Sequence, residues 1–130
     1  MLAFSHQEHI ESYYSVTRNQ HFELPSLNQK ESADVCVVGA GFFGLSTALE
    51  LAEQGKSVIV LEGARVGFGA SGRSGGKAIN GFEDGIDEYI EQVGLETARK
   101  LWQMSLEAID IIDERIAKYG IQCDWKKGYA

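Results

Sequence analysis

The chain has 130 residues, 44% of them hydrophobic, and 12 basic against 19 acidic side chains give it a formal net charge of −7. This length suits one ordinary hydrophobic core, and the acidic balance argues against nucleic acid or an anionic membrane surface as a partner. The sequence has no apolar run of the roughly 18 residues that a transmembrane helix needs. The N-terminus lacks the basic and apolar regions of a signal peptide, so we expect a cytoplasmic protein.

Residues 1–31 are polar, contain the single proline and show no sustained hydrophobic period. We expect them to form an irregular N-terminal extension that precedes a structured part, residues 32–130. His6 and His9 stand three residues apart, as two metal ligands on a helix do. No cysteine or acidic cluster near them completes a ligand set, so we predict a solvated terminus and no metal site.

A strand, a helix and a second strand follow in about thirty residues, a length typical of a βαβ unit. The runs Val35–Val38 and Ser57–Leu61 are apolar and mostly β-branched, which predicts strands buried on both faces. Between them, GAGFFGLSTALELAEQG has helical periodicity, and Gly55 is the expected C-terminal cap. Cys36 and Cys123 lack CxxC spacing, so we expect both to be reduced, with Cys36 in the core.

The second half of the chain is predicted to be mainly helical. A first helix is expected over Ile86–Val93, interrupted at Gly94, and a longer one is expected to end at Gly120. The run Ile121–Trp125 then has the pattern of another strand. Apolar residues at helical spacing predict a buried face on the longer helix: Leu95, Ala98, Trp102, Leu106, Ile109, Ile112, Ile116 and Tyr119.

The motif GxGxxG occurs at the junction of the first predicted strand and the helix, formed by Gly39, Gly41 and Gly44. In this context the first glycine allows a tight turn, the second lets the backbone approach a pyrophosphate, and the third lets the helix close on the strand. Glu62 ends the second strand, where a carboxylate accepts ribose hydroxyls and repels a 2′-phosphate. The pattern therefore predicts FAD or NAD rather than NADP.

A second glycine-rich stretch, Gly67–Gly76, reads GFGASGRSGG. A disordered linker would not explain Arg73 or Phe68 within it. Backbone N–H groups freed by glycines can form an anion-binding concavity, and Arg65 and Arg73 could add charge-assisted hydrogen bonds. Two such segments in succession favour one long cofactor, FAD, over NAD.

The run DVCVVGAGFFGLSTALELAEQGKSVIVLEGARVGFGASGRSGGKAINGF resembles the N-terminal region of the D-amino-acid-oxidase-like family of FAD-dependent oxidoreductases. Within this family the likeness is strongest to the gamma-glutamylputrescine oxidase group, whose members show GASGRNGG and then a short stretch ending in NG. Here the segment is GASGRSGG, so Ser74 stands in place of asparagine and retains a small hydrogen-bonding side chain. The upstream SYY and the downstream KYGIQCDW are also similar, and the likeness covers residues 12–129.

The resemblance implies an enzyme that binds FAD non-covalently and oxidises the C–N bond of an amine or amino acid, gamma-glutamylputrescine-like, with O2 as acceptor. It implies that the GxGxxG glycines hold the pyrophosphate, Glu62 the ADP ribose, and Ser71–Gly76 the flavin side. It identifies no catalytic or substrate-binding residue in this chain. The residues predicted to bind the cofactor are Gly39, Ala40, Gly41, Phe43, Gly44, Glu62, Arg65, Ser71, Gly72, Arg73, Ser74, Gly75 and Gly76.

Members of that family are several times longer than this chain. We therefore predict an α/β N-terminal fragment of a Rossmann-type FAD-binding domain, with an open apolar edge on the first strand. The substrate domain would begin near residue 121, and we expect the isolated chain to be inactive. Two alternatives remain open at this point, an NAD-dependent dehydrogenase and a non-catalytic dinucleotide-binding fragment.

Overall fold

A computed structural model of the chain describes residues 8–20 and 23–128. These residues fall into two compact units, the first ending at Gly75 and the second beginning at Gly76. The α/β class predicted from the sequence is confirmed. None of the helices in the described ranges is long and apolar enough to cross a membrane. The first unit contains α1 (Tyr13–Thr17), β1 (Val35–Val38), α2 (Phe42–Glu53), β2 (Val58–Leu61) and a 3₁₀ helix (Ala70–Arg73), and the second contains α3 (Ile86–Val93) and α4 (Leu95–Tyr119).

The first unit is built on a β1–α2–β2 crossover. The two strands are parallel, with Val35 opposite Val58 and Val38 opposite Leu61. Helix α2 ends where predicted, because Gly55 adopts φ +81 and donates its N–H to the Ala52 carbonyl at 2.9 Å. A left-handed residue just beyond the last turn is the usual way for a helix to end. The crossover brings the carboxyl ends of both strands to one edge of the sheet.

Strand β1 is not buried on both faces, which corrects one expectation from the sequence. Its residues alternate between partly buried and exposed positions, Cys36 is exposed, and Val38 is 83% exposed. The prediction that Cys36 lies in the core is therefore wrong for the described residues. Their sheet has two strands, so β1 has a neighbour on one edge only. The exposed apolar edge expected for this strand is what the structure has.

A short helix, α1, lies within the stretch that we expected to be irregular. It begins with a capping box, in which the Ser12 hydroxyl accepts the Ser15 N–H at 3.2 Å and the Ser15 hydroxyl accepts the Ser12 N–H at 2.9 Å. These reciprocal bonds satisfy backbone donors that a helix start leaves unpaired. Of the two histidines considered above, His6 lies outside the described residues, and His9 is 6.3 Å from the Phe68 ring.

The second unit consists of α3, α4 and the segments that flank them. Gly94 at φ +79 separates the two helices, and Gly120 at φ +59 ends α4, as predicted. The apolar face of α4 is less covered than expected, because α3 is the helix that packs on it in this unit. Ala98 is fully buried, but Trp102 is 39% exposed and Ile112 is 40% exposed.

The strand predicted after α4 is not formed, since the described residues 121–128 contain no strand. The Cys123 N–H bonds to the nearby Ile121 carbonyl at 3.1 Å, and Asp124 has φ +53, so the chain turns instead of extending. The turn allows the Trp125 indole N–H to donate to Asp113 on α4 at 2.8 Å. Lys127 is ion-paired with the same carboxylate. The segment is therefore fixed to α4 by side chains.

Asp34 and Ser57, which immediately precede β1 and β2, connect the N-terminal ends of the two strands through hydrogen bonds. The Asp34 N–H donates to the Ser57 hydroxyl at 2.9 Å, while the Ser57 N–H and hydroxyl donate to the Asp34 carboxylate at 2.9 and 2.7 Å. The hydroxyl and backbone hydrogen bonds from Ser57 lower the pKa of Asp34 below its ordinary 3.8. Its ionised form is thus favoured in the folded chain.

We predict that Asp34→Asn lowers the melting temperature at neutral pH. A carboxyl group with a lowered folded-state pKa stabilises the fold above its unfolded pKa and loses that contribution as pH falls through the folded value. The difference from wild type should therefore shrink below about pH 4 in thermal unfolding curves. Asp84→Asn, at an exposed aspartate, is the matched control. A difference that is constant at every pH would contradict the prediction.

We also predict that Trp125 fluorescence reports protonation of Asp113. Hydrogen bonds from Lys127 and then from Trp125 lower the pKa of Asp113, so the fluorescence transition should lie below the ordinary aspartate pKa of 3.8. Trp102→Phe removes the other of the two tryptophans in the chain and isolates the signal. Asp113→Asn in that background should abolish the transition, and a transition that persists would show that another group causes it.

Candidate cofactor-binding site

The glycine turn after β1 has the close contacts expected of its motif. Gly39 adopts φ +101 and donates its N–H to the Leu61 carbonyl at 2.7 Å, which ties the turn to the end of β2. A Cβ atom on Gly44 would lie 2.0 Å from the Gly39 carbonyl oxygen and 3.4 Å from the Val37 side chain. Only glycine at this position lets α2 begin so close to β1.

The second glycine-rich stretch packs directly on this first turn. The Gly67 N–H donates to the Ala40 carbonyl at 2.8 Å, and the Ser71 hydroxyl accepts the Phe42 N–H at 2.9 Å. A Cβ atom on Gly41 would stand 2.8 Å from the Ser71 hydroxyl oxygen. The absence of a side chain at Gly41 therefore leaves room for Ser71 at the start of α2. These hydrogen bonds fix the position of the stretch, which a disordered linker would not have.

Glu62 connects the two turns through its carboxylate. One oxygen accepts the Ala40 N–H at 2.7 Å, and the other accepts the Ala64 N–H at 3.0 Å. A carboxylate has about four acceptor positions, so these two bonds leave capacity for ribose hydroxyls. The sequence predicted the ribose contact, but it gave no sign of this connecting role or of the Ala64 and Gly67 amides that take part in the assembly.

A cavity of about 400 Å³ lies along the joined turns. Its lining is formed by Gly41, Glu62, Gly63, Ala64, Phe68, Gly69, Ala70 and Ser71. Gly41, which lines the cavity, is the N-cap of α2. The N–H groups of Phe43 and Gly44, in the first turn of that helix, have no partner within the helix, so they favour an anion. A concave, partly apolar surface with a helix start and a carboxylate fits a dinucleotide.

The predicted residues do not all face this cavity. The Phe43 side chain is 88% exposed, so its expected contribution is its backbone N–H. Arg73 lies over the Phe68 ring, 5.6 Å from its centroid. Arg65 is ion-paired with Glu8. Ser74 and Gly75 follow the 3₁₀ helix in the first unit, whereas Gly76, at φ +65, begins the second.

Comparison with known proteins shows which family the sequence of this chain matches. The family described as "DAO: FAD dependent oxidoreductase" matches residues 34–129. The chain is 77% identical to the "Probable oxidoreductase OrdL" of Haemophilus influenzae over all of its length and 30% of that protein. It is 48% identical to the "Gamma-glutamylputrescine oxidoreductase" of Escherichia coli over 93% of the chain and 28% of that protein. The chain thus spans less than a third of these curated relatives. No solved structure gives a significant match.

We predict that Gly44→Ala destabilises the first unit by about 3 kcal/mol, because its Cβ would collide with backbone that cannot move without displacing β1. Gly69→Ala is the matched control, since a Cβ there meets nothing within 4 Å. Chemical unfolding followed by circular dichroism measures both changes. Equal stability of the two variants would contradict the packing role given to Gly44.

Proposed function

The chain belongs to the DAO family of FAD-dependent oxidoreductases, and from this premise we propose that the complete protein oxidises the C–N bond of an amine or amino acid. We propose gamma-glutamylputrescine or a similar gamma-glutamyl amine as the substrate and O2 as the electron acceptor. The observation that carries the proposal is the pair of glycine-rich turns joined by Glu62 beside one cavity. The name of the Escherichia coli relative supports the substrate class.

The described residues supply a binding surface for the two halves of the cofactor. The backbone at Gly41 and the Phe43 and Gly44 amides would hold the pyrophosphate, since the helix start carries a partial positive charge. Glu62 would accept the ribose hydroxyls. The segment Ser71–Gly75 would continue toward the flavin.

Bound FAD would supply the redox chemistry, taking two electrons from the substrate C–N bond and passing them to O2. The amine would thereby become an imine, which water hydrolyses, and O2 would become hydrogen peroxide. The part played by the residues described here is to bind and orient the cofactor.

Two alternatives can be separated from this proposal. An NAD-dependent dehydrogenase would need no second segment on the first glycine turn, and the bonds from Gly67 and to Ser71 argue against it. A non-catalytic dinucleotide-binding module would retain a cofactor without turnover. We expect the 130-residue chain by itself to retain FAD weakly and to have no oxidase activity.

The test is to purify the complete protein and record its visible spectrum. We expect a bound flavin that gamma-glutamylputrescine bleaches without oxygen and that air restores with release of hydrogen peroxide. Putrescine without the gamma-glutamyl group is the matched control, and it should bleach the flavin more slowly because it lacks the acyl group and its carboxylate.

Each outcome bears on a different part of the proposal. A colourless protein that FAD cannot reconstitute would refute the cofactor assignment, and energy transfer from bound NADH would favour the dehydrogenase. A flavin bleached equally by putrescine would refute the substrate class alone. A flavin that no amine or amino acid bleaches would favour the non-catalytic module.

A further inference from the structure

Arg65 lies in a different environment from the cofactor residues predicted beside it. Its guanidinium forms an ion pair with Glu8, and the Arg65 side chain is 30% exposed. It lines a cavity of about 210 Å³ together with residues of the N-terminal segment, which include Glu8, His9 and Arg18. It is not among the residues that line the cavity along the glycine turns. The side chain is thus engaged by the N-terminal segment.

A second contact joins the N-terminal segment to the glycine-rich stretch. The His9 ring lies 6.3 Å from the Phe68 ring, at a tilt of 38°. Phe68 also lines the cavity along the glycine turns, as Glu62 does. His9 is therefore next to a residue that forms part of that cavity. Helix α1 also contacts the 3₁₀ helix that contains Ser71. The N-terminal segment therefore contacts the glycine-rich stretch through the His9–Phe68 ring pair and through α1, and it contacts Arg65, just before the stretch, through the ion pair with Glu8.

The charges around Arg65 favour a structural ion pair over a site for a phosphate. The hydrogen bond that Arg65 donates to the Glu8 carboxylate has the largest effect on the pKa of Arg65, which it raises, and the charges of Glu8 and Glu23 raise that pKa further. The hydrogen bond from Arg65 in turn lowers the pKa of Glu8, and the nearby charges of Arg18 and His9 lower it further. A cavity whose two acidic side chains already face its two arginines has little net attraction for a further anion.

We propose that Glu8 and His9 are positioning residues that hold Arg65 and Phe68, so that the stretch 63–75 keeps the shape in which it contacts FAD. This inference rests on the proposed function, because it assumes FAD in the cavity along the turns. It gives Arg65 a role different from the direct cofactor contact predicted from the sequence, because Arg65 would affect FAD binding through the shape of the stretch 63–75. Docking of the N-terminal segment and binding of FAD then reinforce each other.

A charge-exchange cycle on the complete protein tests this role. Glu8→Arg and Arg65→Glu should each weaken FAD binding about two- to fivefold, the range in which exposed ion pairs contribute. The double variant reverses both charges, restores the pair and should bind within about twofold of wild type. Glu11→Arg makes the same change of charge on the same segment and should leave FAD affinity unchanged.

Two further measurements separate positioning from general destabilisation. The melting temperatures of the cofactor-free single variants should match that of Glu11→Arg. Hydrogen exchange of the α1 amides should slow when FAD binds to the wild type and respond less in either single variant. A fall in the melting temperature that accounts for the whole loss of affinity would overturn the proposal.

The remaining outcomes are equally distinct. A double variant no better than Arg65→Glu would indicate that Arg65 contacts FAD directly, and single variants with wild-type affinity would show that the segment does not act on the loop. Either result overturns the positioning role while the proposed function stands. Failure of the wild-type protein to bind FAD would instead refute the proposed function.

Discussion

The candidate site depends on the Glu62 carboxylate, which accepts one N–H from each of two loops that lie 24 residues apart, at Ala40 and Ala64. Parallel strands place their carboxyl ends at the same edge of a sheet, so the loops after β1 and β2 emerge side by side. If the loops were merely close to each other, the Ala40 and Ala64 N–H groups would form hydrogen bonds with water instead of connecting the loops. The carboxylate pairs both donors, and the bond from Gly67 to Ala40 adds a third connection. The two glycine-rich segments thus form one surface.

The sequence predicted the parts of this surface that local geometry determines. A short β-branched run, three glycines at fixed spacing and an acidic residue after the second run are sufficient to indicate strand, turn, helix and carboxylate. The close approach of Gly44 to the Gly39 carbonyl follows from that spacing. The hydrogen bond of Phe42 to Ser71 does not, because it joins residues 29 positions apart and depends on how the second stretch folds back.

Burial was predicted less well than secondary structure, and for one physical reason. An apolar pattern identifies which face of a helix or strand can be buried. Whether that face is buried depends on another element packing on it. Val38 is 83% exposed and Leu106 is 37% exposed, although both belong to patterns typical of buried faces. The strand expected at 121–125 fails in the same way, since an extended run needs a partner strand. The turn at Asp124 and the bond from Trp125 to Asp113 replace it.

The assembly role of Glu62 also bears on which cofactor the site accepts. A free carboxylate at the end of β2 could rotate away from a 2′-phosphate and tolerate it. A carboxylate that holds the Ala40 and Ala64 amides cannot rotate without breaking the bonds that join the loops. Its negative charge therefore stays in place, and a 2′-phosphate beside it would meet a fixed like charge. The Ala40 and Ala64 N–H groups could not offset that repulsion, because they already donate to Glu62. The interaction that joins the two loops would thus also disfavour a dinucleotide with a 2′-phosphate, in agreement with the proposed contact of Glu62 with the ADP ribose.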